Sequence, residues 1–121
     1  MASGVAATLA DRLRQHYPKL RIATGLNDPA GYDIVVNATP LGMNARDPIP
    51  VDVARIDSGT FVAEVVMTEA YTPLLRAAMA KGCPVQVGTD MLFEMIPAYL
   101  EFFGLGTSTP EELRAVSQLQ P

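Results

Sequence analysis

A chain of 121 residues, 49% of them hydrophobic and 18% charged, is sized for a single domain over 1–121 and carries too much apolar material to be disordered. Nine basic against thirteen acidic residues give a net charge of −4, and the basic ones are scattered, so a nucleic-acid partner is not expected. One cysteine and one histidine furnish neither an internal disulfide nor the usual zinc ligand set, and no apolar run nears the ~20 residues of a membrane helix; the sequence therefore reads as metal-free, off the membrane and cytoplasmic.

Val5, Leu9 and Leu13, with Ala6 and Ala10 beside them, recur at helical spacing and predict an amphipathic helix over 3–16, capped by Ser3 and stopped by Pro18. Residues 20–24 alternate and read as a short strand. After the turn-rich 27–31, residues 33–39 carry Ile34, Val35 and Val36 in a row, the pattern of a strand buried on both faces in a parallel sheet. Residues 40–59, with three prolines and three aspartates, read as loop with one helical turn near Val53. Residues 60–66 repeat the buried-strand pattern. Thr72 and Pro73 open a helix that Gly82 closes, and 85–87 read as a third strand ending at Gly88. Asp90 is placed to cap a helix over 91–103 that contains Pro97 and stops at Gly104, and Thr109-Pro110-Glu111-Glu112 has the form of a capping box for a last helix to about Gln118. This order is α/β: a partial Rossmann-like, doubly wound parallel sheet of about four strands with flanking helices.

Open parallel sheets bind ligands at the carboxyl ends of their strands. Asn37-Ala38-Thr39-Pro40-Leu41-Gly42-Met43 follows one such strand and gathers polar side chains and exposed backbone, although an ordinary Asx or Thr turn accounts for the same residue types. Glu64 is a carboxylate inside an apolar strand, either paired locally or kept for a site. Gly88 ends the third strand, where a missing Cβ permits close backbone approach to a ligand or simply a tight turn. Met91 and Met95 share a helix face and Met67 ends a neighbouring strand, a set that core filling also explains. Neither G-x-G-x-x-G nor G-x-S-x-G occurs, His16 reads as a solvent-facing helix residue, and Cys83 reads as a packed thiol.

The string Asp33-Ile34-Val35-Val36-Asn37-Ala38-Thr39-Pro40-Leu41-Gly42-Met43, followed by Thr72-Pro73-Leu74-Leu75 and by Gly88-Thr89-Asp90-Met91-Leu92, resembles the C-terminal cofactor domain of the shikimate/quinate dehydrogenase family over nearly the whole chain. The resemblance implies an oxidoreductase of aromatic amino acid biosynthesis that uses NADP or NAD on a small cyclic hydroxy acid, with a separate N-terminal domain supplying a catalytic Lys–Asp pair. It implies cofactor contacts from Asn37 and, on the ribose side, Ala38, Thr39 and Pro40, and from Val65, Gly88 and Met91 around the nicotinamide. Met67 and Met95 fall where that family usually has a tyrosine and a glutamine facing substrate; neither can donate a hydrogen bond, which points to a divergent branch with a different substrate. Asp90 stands for a usual glycine and adds charge near the nicotinamide.

Against that pattern, the chain is expected to begin after the glycine-rich first βαβ unit, as a fragment or a truncated gene product. It should bind the dinucleotide weakly and be inactive alone. In the usual strand order 3-2-1-4-5-6 two strands would separate residues 20–24 from 33–39, so the second of these should show an unpaired edge, and a homo-oligomer is expected. The alternative function is a non-catalytic, self-associating α/β module.

Overall fold

The structure is a computed structural model that describes residues 4–25 and 27–117. Its elements in chain order are α1 (Gly4–His16), β1 (Ile34–Asn37), a single 3₁₀ turn (Val53–Arg55), β2 (Phe61–Glu64), α2 (Pro73–Ala80), β3 (Val85–Gln86), α3 (Gly88–Phe102) and α4 (Pro110–Val116). The three strands make one parallel sheet in the order β1-β2-β3.

The parallel register sorts the side chains into rows. Val62 pairs with Val35 on one side and Val85 on the other in one row, and Asn37 stands opposite Glu64 two residues on, so both lie on the same face of the sheet. Against that face α2 packs Leu74, Leu75 and Ala78, and with Ile56, Val62, Cys83 and Val87 these form the core. Thr72 caps α2 by accepting from the Leu75 N–H, with Pro73 at its first position as the sequence predicts. At the other end of α2 the Lys81 ammonium donates to the carbonyls of Val53, Ala54 and Ile56 at 2.9, 2.8 and 2.5 Å, tying the 3₁₀ turn to the helix.

Three expectations change. Residues 20–24 form no strand, so the sheet has three strands rather than about four. A strand exists only through a ladder partner; among the described residues none lies beside this segment, and the Ile22 carbonyl accepts from Arg14 of α1 instead. Burial on both faces is true of β2 but not of β1, where Ile34 is 62% and Val36 55% exposed. These two lie on the face opposite α2, and β1 is at the edge of the sheet with β2 as its one strand partner among the described residues. Helix α1 forms as predicted but buries only Ala10, leaving Val5 and Leu9 exposed. The Ser3 cap lies outside the described residues, and the last helix stops at Val116, with Ser117 extended, short of the expected end at about Gln118.

Helix α3 begins three residues before its predicted start. Asp90 therefore sits in its first turn and caps nothing; the capping position falls on Val87, which has no side-chain hydrogen bond to give. Gly88 explains the early start. A Cβ there would lie 2.1 Å from the Val66 carbonyl oxygen and within 3 Å of two further backbone atoms of Val65 and Val66, so the first turn of α3 is pressed onto the end of β2 as no other residue allows. At the far end Gly104, with φ 67°, closes the helix, and the Leu105 N–H reaches back to the Leu100 carbonyl. Helix α4 carries the predicted capping box of Thr109 and Glu112. It docks through Arg114, which pairs with Glu94 at 2.9 Å and Asp90 at 3.4 Å and lies over the Phe93 ring.

Gly88→Ala is expected to lower stability by about 1–3 kcal/mol or more, the usual cost of forcing extra atoms into a packed contact. Urea unfolding of the full chain, followed by circular dichroism, reads it; an unchanged midpoint would mean that α3 and β2 approach less closely than described.

Candidate functional site

Beyond the carboxyl ends of β1 and β2 lies an open cleft of about 400 Å³. One wall is the segment after β1, contributing Ala38, Thr39, Pro40 and Met43; the other is the exit of β2, contributing Val65, Val66, Met67 and Thr68. The walls are joined at the base by the Val65 N–H, which donates to the Asn37 carbonyl at 3.2 Å, and nearer the rim by the Thr68 hydroxyl, which donates to the Met43 carbonyl at 3.4 Å.

Beneath the cleft is a chain of buried polar groups. Asn37 is 4% exposed and spends its whole side chain inside the protein. Its Nδ2 donates to the Leu41 carbonyl and to Glu64 Oε2, both at 2.9 Å, while its Oδ1 accepts from the Thr39 N–H at 3.1 Å and the Thr39 hydroxyl at 2.7 Å. The other oxygen of Glu64, itself 2% exposed, accepts from the Thr72 hydroxyl. The Asx-type turn considered for this string is present, and Glu64 is the buried anchor to which it is tied. The rest of the loop is pinned by Asp47, whose Oδ2 accepts from the backbone N–H groups of Asn44 at 2.9 Å and Gly42 at 3.0 Å. Those bonds, the Asn44 one foremost, favour the charged carboxylate and hold its pKa below the usual value.

Of the residues singled out from sequence, Ala38, Thr39, Pro40, Val65 and Met67 share this one cleft. Asn37 lies beneath it with no free polar atom to offer a ligand. Gly88 lies beside it, its missing Cβ taken up by the protein's own backbone at Val65 and Val66. Met91 and Met95, on α3, are not part of its lining. Asp90, expected to add charge near the nicotinamide, is paired with Arg114. Sequence reasoning passed over Thr68 in the lining and Asp47 in the loop. The Gly42 φ of 104° is the local signal that the loop turns sharply there. Among the described residues no group of three or more His, Cys, Asp or Glu could hold a metal, and no helix is long and apolar enough to cross a membrane.

A parallel sheet with helices after β2 and β3 and a cleft at its carboxyl edge defines a Rossmann-like α/β unit. No family model matches the chain. It is 38% identical over 90 residues, 73% of its length and 33% of the relative's, to the shikimate dehydrogenase (NADP(+)) of Acidiphilium cryptum. With that of Streptomyces avermitilis it is 34% identical over 120 residues, 94% of this chain and 40% of the other. In structure it is similar to the quinate dehydrogenase of Corynebacterium glutamicum solved in complex with NAD, with a TM-score of 0.75 and 32% identity over 91% of this chain and 41% of that one. These likenesses put the chain in the shikimate/quinate dehydrogenase family, of whose curated members it spans about a third to two fifths.

Because the pKa of Asp47 is lowered by folding, the stabilisation it brings is present above its unfolded pKa of about 4 and is lost as pH falls through the lower folded value. In an NMR pH titration the Gly42 and Asn44 amides should move together with a midpoint below about 4. A midpoint at or above that value would contradict the two backbone hydrogen bonds.

Proposed function

We propose that these residues form the nicotinamide-side wall of an NAD(P)-dependent oxidoreductase acting on a cyclic hydroxy acid, as the C-terminal part of its cofactor domain. The observation that carries the reading is the cleft itself: five residues chosen on motif grounds lie together at the sheet edge where dinucleotides bind in such folds. The names of the relatives, shikimate dehydrogenase (NADP(+)) and a quinate dehydrogenase solved with NAD, support the cofactor and substrate class.

The lining fits the nicotinamide end of such a cofactor. Alanine, proline, valine and methionine offer apolar surface to a flat ring, and both threonine hydroxyls are turned inward, Thr39 to Asn37 and Thr68 to Met43. The pyrophosphate has no counterpart here, since the sequence holds no glycine-rich turn to cradle it. When bound, the nicotinamide supplies the carbon that takes or gives a hydride. What this chain adds is surface and orientation: Ala38, Thr39 and Pro40 line the ribose side, Val65 meets the ring and Met67 faces the substrate side, while Asn37 and Glu64 fix the first wall from below. Among the described residues the cleft lining holds no titratable side chain, and on this reading the proton that leaves an alcohol during oxidation goes to a base outside it. The two methionines of the expected substrate side are consistent with a substrate less hydroxylated than shikimate or quinate.

It follows that the 121 residues by themselves should not turn over shikimate or quinate with either dinucleotide, and should bind NAD or NADP more weakly than ~1 mM. Steady-state absorbance assays and calorimetry measure both. Turnover above a buffer blank, or micromolar affinity, would overturn the reading.

A second reading, a self-associating module, is favoured by β1 alone. Among the described residues its outer edge has no strand partner, and the exposed Ile34 and Val36 are apolar, β-branched surface of the kind that pairs with another chain. Light scattering should then give a mass above 13.0 kDa that rises with concentration, and a single 13.0 kDa species at micromolar concentrations would remove this reading.

A further inference from the structure

We propose that Glu64 is the positioning residue of the cleft: it sets the orientation of the Asn37 amide and, through it, the shape of the wall that meets the ligand. The inference rests on the cofactor reading of that cleft and adds to it a device for keeping the wall preformed.

The argument follows the direction of each hydrogen bond. A primary amide has one donating and one accepting end, and Asn37 has partners for both: Leu41 and Glu64 accept from its nitrogen, and Thr39 donates twice to its oxygen. The Thr39 hydroxyl gives its one hydrogen to Asn37 and accepts from the Leu41 N–H at 3.2 Å, so the turn closes only when the Asn37 oxygen faces Thr39. On the nitrogen side of the amide two groups accept and favour that orientation, the Leu41 carbonyl and, as the one side chain, Glu64. A carboxylate there accepts and never donates, so a flipped amide would set its oxygen against Glu64 and its NH₂ against the Thr39 N–H. Thr72 keeps the carboxylate in place from behind: its hydroxyl donates to Glu64 Oε1 and accepts from Leu75, the only sense in which it can serve both. All three side chains are at least 96% buried, so water does not compete for these bonds. Gly42, in the same loop next to the wall residue Met43, lies close to these side chains; a Cβ there would stand 3.6 Å from Thr72 and 3.8 Å from Glu64.

The test uses the ligand-free chain and ¹H–¹⁵N NMR. Glu64→Gln keeps the shape of the side chain but, with its oxygen still on Thr72, turns an NH₂ toward the Asn37 nitrogen, so the side-chain acceptor that favours the present orientation becomes a competing donor. The expected result is a folded variant in which α3 amides stay at wild-type positions, while the Asn37 side-chain NH₂ and the Thr39, Leu41 and Gly42 amides split into two sets or broaden away. A single, unmoved set at those residues overturns the proposal. If Glu64→Gln does not fold, Thr72→Val is read instead, since it releases the carboxylate from behind. The same loop signals should broaden, and Thr72→Ser, which keeps the hydroxyl, should restore one set; loop signals that stay single in Thr72→Val overturn the proposal. Nicotinamide mononucleotide added to the wild type answers a separate question. No response at Thr39 and Val65 counts against the cofactor reading, and the ligand-free spectra still decide the role of Glu64.

Discussion

Parallel pairing of β1 with β2 in one register is the constraint from which the rest of this molecule follows. It sets Asn37 beside Glu64 at the last rung of the ladder, where the core ends and the cleft begins. A slip of β1 by one residue would turn Asn37 to the face opposite Glu64 and bring Val36 inward. Two polar groups at the edge of an apolar core would be costly if left unpaired, and here each satisfies the other. The loop that forms one wall of the cleft then folds onto that pair rather than onto solvent.

A second close contact fixes the other strand exit. Because Gly88 lets α3 start against the carbonyl of Val66, the segment that supplies Val65, Val66 and Met67 is held between a strand and a helix. The cleft therefore has two walls of different origin. One is a loop organised by buried side-chain polarity, and the other is backbone pressed against backbone. Side-chain chemistry governs the first and the absence of a side chain governs the second, so substitutions are expected to act on them by different physical routes.

How far the sequence could be read depended on how local the determining physics was. Helices α2 and α4 carry their own start signals in Thr72-Pro73 and in Thr109 with Glu112, and these were legible because a cap is satisfied within four residues. The motif string after β1 pointed to the right end of the sheet for a related reason, as its turn is made by Asn37 and Thr39 themselves. Residues 20–24 failed as a strand because strand formation is a property of two segments, and alternation alone cannot report a missing neighbour. The start of α3 was misplaced because Asp90 resembles a cap locally, whereas the contact that decides the matter lies twenty-two residues back, at Val66. The pairing of Asp90 with Arg114 was hidden for the same reason: it joins two helices that the sequence describes separately.

Helix α2 is tied at both ends to the long connection between β1 and β2. Thr72 reaches it through Glu64 and Asn37, and Lys81 takes three of its carbonyls at the 3₁₀ turn. The connection is irregular in backbone and rich in proline, the usual description of a segment that opens readily and alone. Here opening it means giving up the clasp at one end of α2 and the polar chain at the other. The wall of the cleft thus belongs to the same cooperative unit as the core helix, and its slow hydrogen exchange should follow unfolding of α2 rather than the quick fraying of a surface loop.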